Sequence, residues 1–353
     1  MKILFLIHRQ QARGQEVFAA QLAQEFELQG LEVKVVSLYF GSFALPFKEK
    51  ILCLGLNSSK DFWKPHLWKE FVDLVADFRP QIIQANGGDT LKFLALASLF
   101  ISKKPKLIFN NGGVMSYYLR NGLQKRMNAF FLRRMNGLVS VSEFSKADLD
   151  RTFNPRLHHQ VIPIGICISG NYAQEQEDFT WLHIGGFTVE KNHQGLIELF
   201  QQGIDKGIKG NLHLIGEGPL KREIENWVQD QNMKSRIWFQ GALEKPWYDA
   251  PMPSVLLLPS KIEGMPAVIA EALFMGIPII AYAVGGITEL KSEFPSLFLV
   301  PEKDQSGFIQ AMVSVQENYE RYLAKSLEDI EKAKSFFSLK RASRDFLNFY
   351  SQV

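Results

Sequence analysis

Cysteine is scarce in this chain of 353 residues: only Cys53 and Cys167 occur, which allows at most one disulfide and offers no metal-site spacing. That usage fits a reducing cytoplasm. Long apolar runs are also lacking. The longest, such as ILFLI near the start and SVLLLPS at 254–260, are strand-sized and fall far short of the roughly 20 residues that cross a bilayer. MKILFLIHRQ has too short an apolar stretch for a signal peptide, and no small-residue cleavage site follows it, so it reads as a first strand. Neither G-x-G-x-x-G nor a Walker loop is present. The loop HRQQARG after that strand has one glycine, which argues against a nicotinamide-dependent enzyme. No His or Cys cluster has metal-ligand spacing, and the D-x-D of DLD at 148–150 falls inside the helix-like SEFSKADLDRTF, where it reads as a solvated face. Finally, acid is missing from one region. Between Thr90 and Ser142 there is no Asp or Glu, against nine Lys or Arg, so the remainder of the chain is net acidic although the whole is +3. That asymmetry points to an anionic partner.

What is present is a rhythm of short apolar strands and amphipathic helices. MKILFLI, the helical spacing of Val17, Phe18, Leu22 and Phe26, and the alternating LEVKVVSLY form a βαβ unit. RPQIIQAN, PKLIFNNG, GLVSVS and QVIPIGI continue it. The pattern lapses over 167–179, in CISGNYAQEQEDF, and restarts with TWLHIGGF, NLHLIGEG, RIWFQG, SVLLLPS and PIIAYAV. Strands alternating with helices argue for parallel sheets covered on both faces. The expected fold is therefore α/β: two Rossmann-like, doubly wound parallel-sheet domains facing across a cleft, at 1–166 and 180–335, joined by a linker at 167–179 and closed by a helix at 336–353. Ligands in such sheets bind beyond the carboxyl ends of the strands.

One stretch, PSKIEGMPAVIAEALFMGIPIIA at 259–281, contains an apolar helix with an acid inside it. Pro266 suits the first position of a helix and Gly276 its exit, and the side chains between are apolar almost all round, except for Glu271. A carboxylate there needs a polar partner, from the fold or from a ligand. Glu263 precedes it by eight positions. Together, P-S-x-x-E-G-x-P, Glu271, G-x-P and A-x-x-V-G-G-I-x-E resemble the retaining, nucleotide-sugar-dependent family-4 glycosyltransferases of the GT-B fold, whose hallmark is this E-x7-E element. The resemblance covers nearly the whole chain, through ARGQEVFAAQLA, RPQIIQANGGDTLK, GLVSVSEFSKADL, QVIPIGI, IGGFTVEKNH, LIGEGPLK and WFQGAL, in the family's order.

The resemblance implies an enzyme that moves a sugar from a nucleoside-diphosphate donor, UDP-linked, to a hydroxyl acceptor in polysaccharide, glycolipid or envelope-glycan synthesis. The first domain would serve the acceptor, the second the donor, and the closing helix would pack back toward the first. Glu271 would accept hydrogen bonds from the ribose diol, Glu263 would meet sugar hydroxyls, and Lys191 would bind the diphosphate as a point charge. Alternatively Glu271 simply pairs with a core Lys or Arg. Gly264, Met265 and Pro266 lead into the helix whose amides favour the anion. Gly285 and Gly286 would let backbone approach the phosphates, or form a plain tight turn. Gly14, beside Arg13, stands where a glycine loop meets the donor. Two positions depart from the family: Gly186 replaces its usual arginine, and Asn111 stands where a histidine is common, so a general base is not assigned. Asn86 and Asp89 would be acceptor-side polar groups. No cofactor and no metal are implied, since Lys191 and helix amides would neutralise the diphosphate.

The basic segment YYLRNGLQKRMNAFFLRRM, 117–135, reads equally as a packed helix with solvated cations and as a peripheral contact with an anionic membrane, on the cytoplasmic face. A competing reading is a catalytically weakened sugar-nucleotide-binding protein of the same fold, suggested by Gly186 and Asn111. Nucleic-acid binding through 90–142 lacks a recognition motif, and no nucleic-acid partner is expected.

Overall fold

A computed structural model describes residues 1–167, 178–230 and 235–353. The core of the expected linker, 168–177, lies outside the described residues. The chain divides into two compact units, one formed by Met1–Cys167 with Phe337–Val353, the other by Ile168–Phe336.

In the first unit, strands β1 (Lys2–Arg9), β2 (Glu32–Tyr39), β3 (Leu52–Leu56), β4 (Ile82–Asn86), β5 (Lys106–Asn111), β6 (Gly137–Ser140) and β7 (His158–Val161) form one sheet in the order 3-2-1-4-5-6-7. Every pairing is parallel. Helices α1 (Gly14–Leu28), α2 (Pro65–Phe78), α3 (Gly88–Ala97), α4 (Gly122–Leu132) and α5 (Glu143–Phe153) connect them. Ile3 to Ile7 have no exposed surface, as expected of a central strand covered on both faces. Phe71 and Phe62 meet Phe93 edge-on between α2, the turn before it and α3. Side chains cap two of the helices: Asn121 Oδ1 accepts from Gln124 N ahead of α4, and Ser142 Oγ from Ser145 N ahead of α5. The sequence rhythm passes directly from LEVKVVSLY to RPQIIQAN; the edge strand β3 and helix α2 lie between.

In the second unit, β8 (Thr180–Ile184), β9 (Asn211–Ile215), β10 (Ile237–Gly241), β11 (Val255–Leu258), β12 (Ile279–Tyr282) and β13 (Phe298–Val300) pair in parallel in the order 10-9-8-11-12-13. Their connections carry α6 (His193–Asp205), α7 (Lys221–Asp230), α8 (Pro246–Asp249), α9 (Ala267–Phe274) and α10 (Ile287–Glu293), followed by α11 (Gln305–Glu317), α12 (Tyr319–Glu328) and α13 (Ile330–Phe336). The apolar helix read at 266–275 is α9, with Pro266 as its extended cap residue and Gly276 in the left-handed region behind it.

The last helix, α14 (Leu339–Gln352), belongs to the first unit. Phe346 packs at a tilt against Phe18 of α1 and Tyr350 edge-on against Phe26, and Tyr350 Oη donates to Gln84 Oε1 in β4. Arg341 donates to the carbonyls of Pro163 and Ile164 at 2.8 and 3.0 Å. Among the described residues, no helix is long and apolar enough to cross a membrane.

Candidate functional site

Doubly wound sheets bind ligands where the strand order reverses, beyond the carboxyl ends. In the second unit that point lies between β8 and β11. The loops leaving these neighbouring strands are stitched together. Lys261 N donates to Glu190 O at 2.8 Å, and Asn192, itself left-handed at φ 56°, donates its side-chain amide to Pro259 O at 3.1 Å. Across the same seam Lys191 Nζ meets Glu263 Oε1 at 2.6 Å, with side-chain exposures of 21% and 9%. The residues expected to face phosphate and sugar are therefore mutually neutralised. Glu263 Oε2 remains as a second acceptor.

Glycine geometry fixes this loop. Gly285, after β12, sits at φ +53°, and a Cβ on it would lie 1.9 Å from the Glu263 carbonyl oxygen, while Gly286 N donates to that oxygen at 3.1 Å. Gly285 is thus required by close packing against Glu263, beyond any tight turn. Gly216, at φ +146°, similarly backs onto the Gly185 carbonyl. Gly186 differs: a Cβ there would meet only Glu217 O, at an ordinary 3.4 Å. Space does not forbid a side chain where the family's arginine is missing.

Glu271 is not paired with a core cation. Its Oε2 accepts from Trp247 Nε1 of α8 at 2.7 Å. The residue is half-buried, yet desolvation raises its pKa above the usual carboxylate range, and the indole bond only partly opposes this. Trp247, itself buried, has no sequence signal beyond its aromatic ring. Gly264, Met265 and Pro266 are buried at the entry of α9, and Ser260 beside them is buried with its hydroxyl unpartnered. Beneath the seam, His183 Nδ1 donates to Leu257 O at 2.8 Å, and His193 stacks on Phe187 at 3.9 Å between ring centres. Burial pulls their pKa values down to about 4 and about 2, so both are neutral.

In the first unit the strand order reverses between β1 and β4. There His8 Nε2 lies 3.5 Å from Asp89 Oδ2, Lys92 holds Asp89 Oδ1 at 2.9 Å, and the rings of His8 and Tyr39 meet at 4.6 Å. The His8 contact, with Lys92, holds Asp89 down to about 2, and burial, first, with the Asp89 charge pushes Tyr39 up to about 12. His8 was not singled out from sequence. Asn86, which was, is internal: it donates to Leu6 O and accepts from Gln84 and Asn110. Gly14 is exposed at the start of α1. Asn111 is buried at the end of β5, its amide donating to Ser140 Oγ at 3.3 Å. Of the DLD carboxylates, Asp148 is not part of a solvated face, whereas the Asp150 side chain is 39% exposed. Asp148 is buried and accepts from Ser116 N, and Asp150 accepts from His159. Among the described residues, no group of three or more His, Cys, Asp or Glu could hold a metal ion.

A family model described as "Glycosyltransferase Family 4" matches residues 12–169, and one described as "Glycosyl transferases group 1" matches 178–318. An uncharacterized glycosyltransferase of Haemophilus influenzae is 22% identical over 91% of this chain and 92% of its own length. The sulfoquinovosyl transferase SQD2 of Arabidopsis thaliana is 26% identical over 71% of this chain and half of its own. Among solved structures, HepE of Anabaena in complex with UDP and glucose matches the whole chain at 17% identity and a TM-score of 0.83, covering all of that chain. Sucrose-phosphate synthase of Thermosynechococcus elongatus matches at 19% and 0.81, covering 98% of its chain. The two-sheet fold is the GT-B fold, and with both halves matched the chain belongs to the family-4, group 1 glycosyltransferases.

Proposed function

We propose that this glycosyltransferase takes a UDP-linked sugar as donor and transfers it, with retention of anomeric configuration, to a hydroxyl acceptor in glycan synthesis. The observation that carries the reading is the Lys191–Glu263 pair across the reversal point of the second sheet, at the entry of α9. Lys191 takes up charge on the β-phosphate as the sugar–phosphate bond breaks, and the α9 amides support the same anion. Glu263 Oε2 and the carboxylate of Glu271 are acceptors for sugar and ribose hydroxyls. In the transfer, the acceptor oxygen bonds to the anomeric carbon on the face that the diphosphate leaves, and the departing phosphate oxygen takes the acceptor's proton. No side-chain base is then required, and the diphosphate charge is met by Lys191 and amides without a metal. Support comes from HepE, whose solved complexes hold UDP and UDP-glucose.

Thermal-shift titration with UDP, GDP, ADP and NAD tests this on wild type, Glu271→Ala and Lys191→Ala. A ligand at 100 times its Kd adds about 2.7 kcal/mol to the folded state. Stabilisation by UDP that weakens in both variants is expected; no response to any nucleotide would sink the proposal.

We place the acceptor, as sugar or lipid-linked glycan, on the first unit, and propose that its α4 face rests on an anionic membrane. Leu123, Met127 and Phe130 recur along one side of α4 and are exposed, with Tyr117 and Tyr118 just ahead and Arg126, Arg133 and Arg134 beside them. Co-sedimentation with vesicles containing phosphatidylglycerol, lost in Leu123→Ser/Phe130→Ser, is the expected outcome. Equal binding by the variant would refute this placement.

A further inference from the structure

At the carboxyl edge of the first sheet, four polar side chains form a continuous line that the transfer chemistry above does not use. Asp150 Oδ1 on α5 lies 2.8 Å from His159 Nδ1 on β7. His159 Nε2 lies 2.9 Å from Ser140 Oγ at the end of β6. Ser140 Oγ lies 3.3 Å from Asn111 Nδ2 at the end of β5, and Asn111 Oδ1 faces Gly113 N at 3.5 Å. Strand register explains the alignment. Asn111 pairs with Ser140, and His159 pairs with Leu138, two residues before Ser140, so all three side chains share one face.

The connectivity is that of a Ser–His–Asp nucleophile, but Ser140 has no exposed surface and cannot meet a substrate. What the line does have is a direction. A carboxylate only accepts, so the His159 proton sits on Nδ1 and Nε2 is bare. Burial lowers the His159 pKa more than Asp150 raises it, which keeps the ring neutral. Nε2 then accepts the hydrogen bond of the Ser140 hydroxyl, and the Ser140 oxygen is left as an acceptor for Asn111 Nδ2. The opposite amide orientation would set two acceptors against each other. Asn111 Oδ1 is therefore turned to the Gly112–Gly113 turn. From the other side Gln15 donates to Asn110 O at 3.1 Å, and a Cβ on Gly112 would meet its side chain at 3.0 Å. Gly113 itself faces open space, with no atom within 4 Å of its would-be Cβ.

We propose that Asp150, His159 and Ser140 are positioning residues which, through the Asn111 amide, hold the Gly112–Gly113 turn in the geometry that sugar transfer uses. The inference rests on the proposed function above, in which the first unit carries the acceptor, and takes the turn after β5 as part of that acceptor side.

Nitrogen-15 NMR of the full chain tests the line without any substrate. The expected spectrum shows His159 with Nδ1 protonated and Nε2 bare, and Ser140→Ala moves the Asn111 side-chain and Gly113 amide signals while leaving Gly87 in place. The opposite tautomer, an imidazolium ring at pH 7, or an unmoved Gly113 signal would overturn the proposal. Turnover of UDP-glucose, UDP-N-acetylglucosamine and GDP-mannose supplies the functional readout. Ser140→Ala and His159→Phe should each lower kcat about tenfold, the effect of one misdirected hydrogen bond, with donor KM within twofold and no further loss in the double variant. Gly113→Val, whose side chain has room, separates the two levels of the argument. If it leaves kcat unchanged, the turn does not approach the substrates and the underlying reading fails. If it lowers kcat while Ser140→Ala and His159→Phe do not, the positioning line fails.

Discussion

Removing the Lys191 charge should destabilise the second unit even in the absence of any sugar nucleotide. Lys191→Met leaves Glu263, whose side chain is 9% exposed, with a desolvated carboxylate and no cation at 2.6 Å. Breaking one side of a buried pair costs about 3–5 kcal/mol, and the 21% exposure of Lys191 places this case at the lower end, about 3 kcal/mol. For a folding unit of this size, 1 kcal/mol moves the transition by ~2–4 °C, so a fall of roughly 6–12 °C follows. Glu263→Gln should cost less, about 1 kcal/mol, because the flexible ammonium can reach water. In Lys191→Met/Glu263→Gln no charge is left unmatched, and stability should return to near that of wild type. Urea unfolding at pH 7, followed by the fluorescence of Trp181 and Trp247 buried in the same unit, measures all four corners of the cycle. Single-variant losses that add to within about 0.5 kcal/mol would refute the coupling, and with it the view that the donor must enter a closed ion pair.

Three further outcomes are expected. Glu271 has a raised folded-state pKa, so the stability tied to it is present at low pH and is lost as pH rises through that pKa; Glu271→Gln should raise the melting temperature at pH 7 while abolishing the UDP thermal shift. His183 behaves in the opposite sense. Its pKa is depressed to about 4 from 6.5, so its contribution is full above pH 6.5 and about 3 kcal/mol is gone by pH 4; His193→Phe, which removes the neighbouring ring depressed to about 2, should flatten the acid limb of urea midpoint against pH. Gly186→Arg should fold normally and tighten UDP binding about tenfold by calorimetry, since a charge-assisted phosphate contact contributes about 1.5 kcal/mol.

The parallel strands other than the edge strands β3 and β13 were legible because each is a short apolar run bounded by turn residues, and a buried strand carries that pattern within itself. The α9 helix and its lone acid were legible for the same reason. The partners were not. Nothing local to Glu271 points to Trp247, 24 positions away on a helix of four residues, and nothing local to Lys191 announces Glu263, 72 positions away. The Lys191–Glu263 contact arises because the sheet makes β8 and β11 neighbours. Asp148 misleads for a related reason: a helical carboxylate looks solvated until the facing element is known, and here that element supplies Ser116 N.

The assignment of α14 to the first unit has a consequence for synthesis on the ribosome. Residues 337–353 emerge only after the whole of the second unit has been translated, on the order of ten to thirty seconds after Cys167 at ~5–20 residues per second. Throughout that interval Phe18 and Phe26 on α1 lack their cover, and Gln84 lacks the Tyr350 hydroxyl. The first unit to be made is thus the last to be finished, and its open apolar stripe is the place where a nascent chain would engage a chaperone.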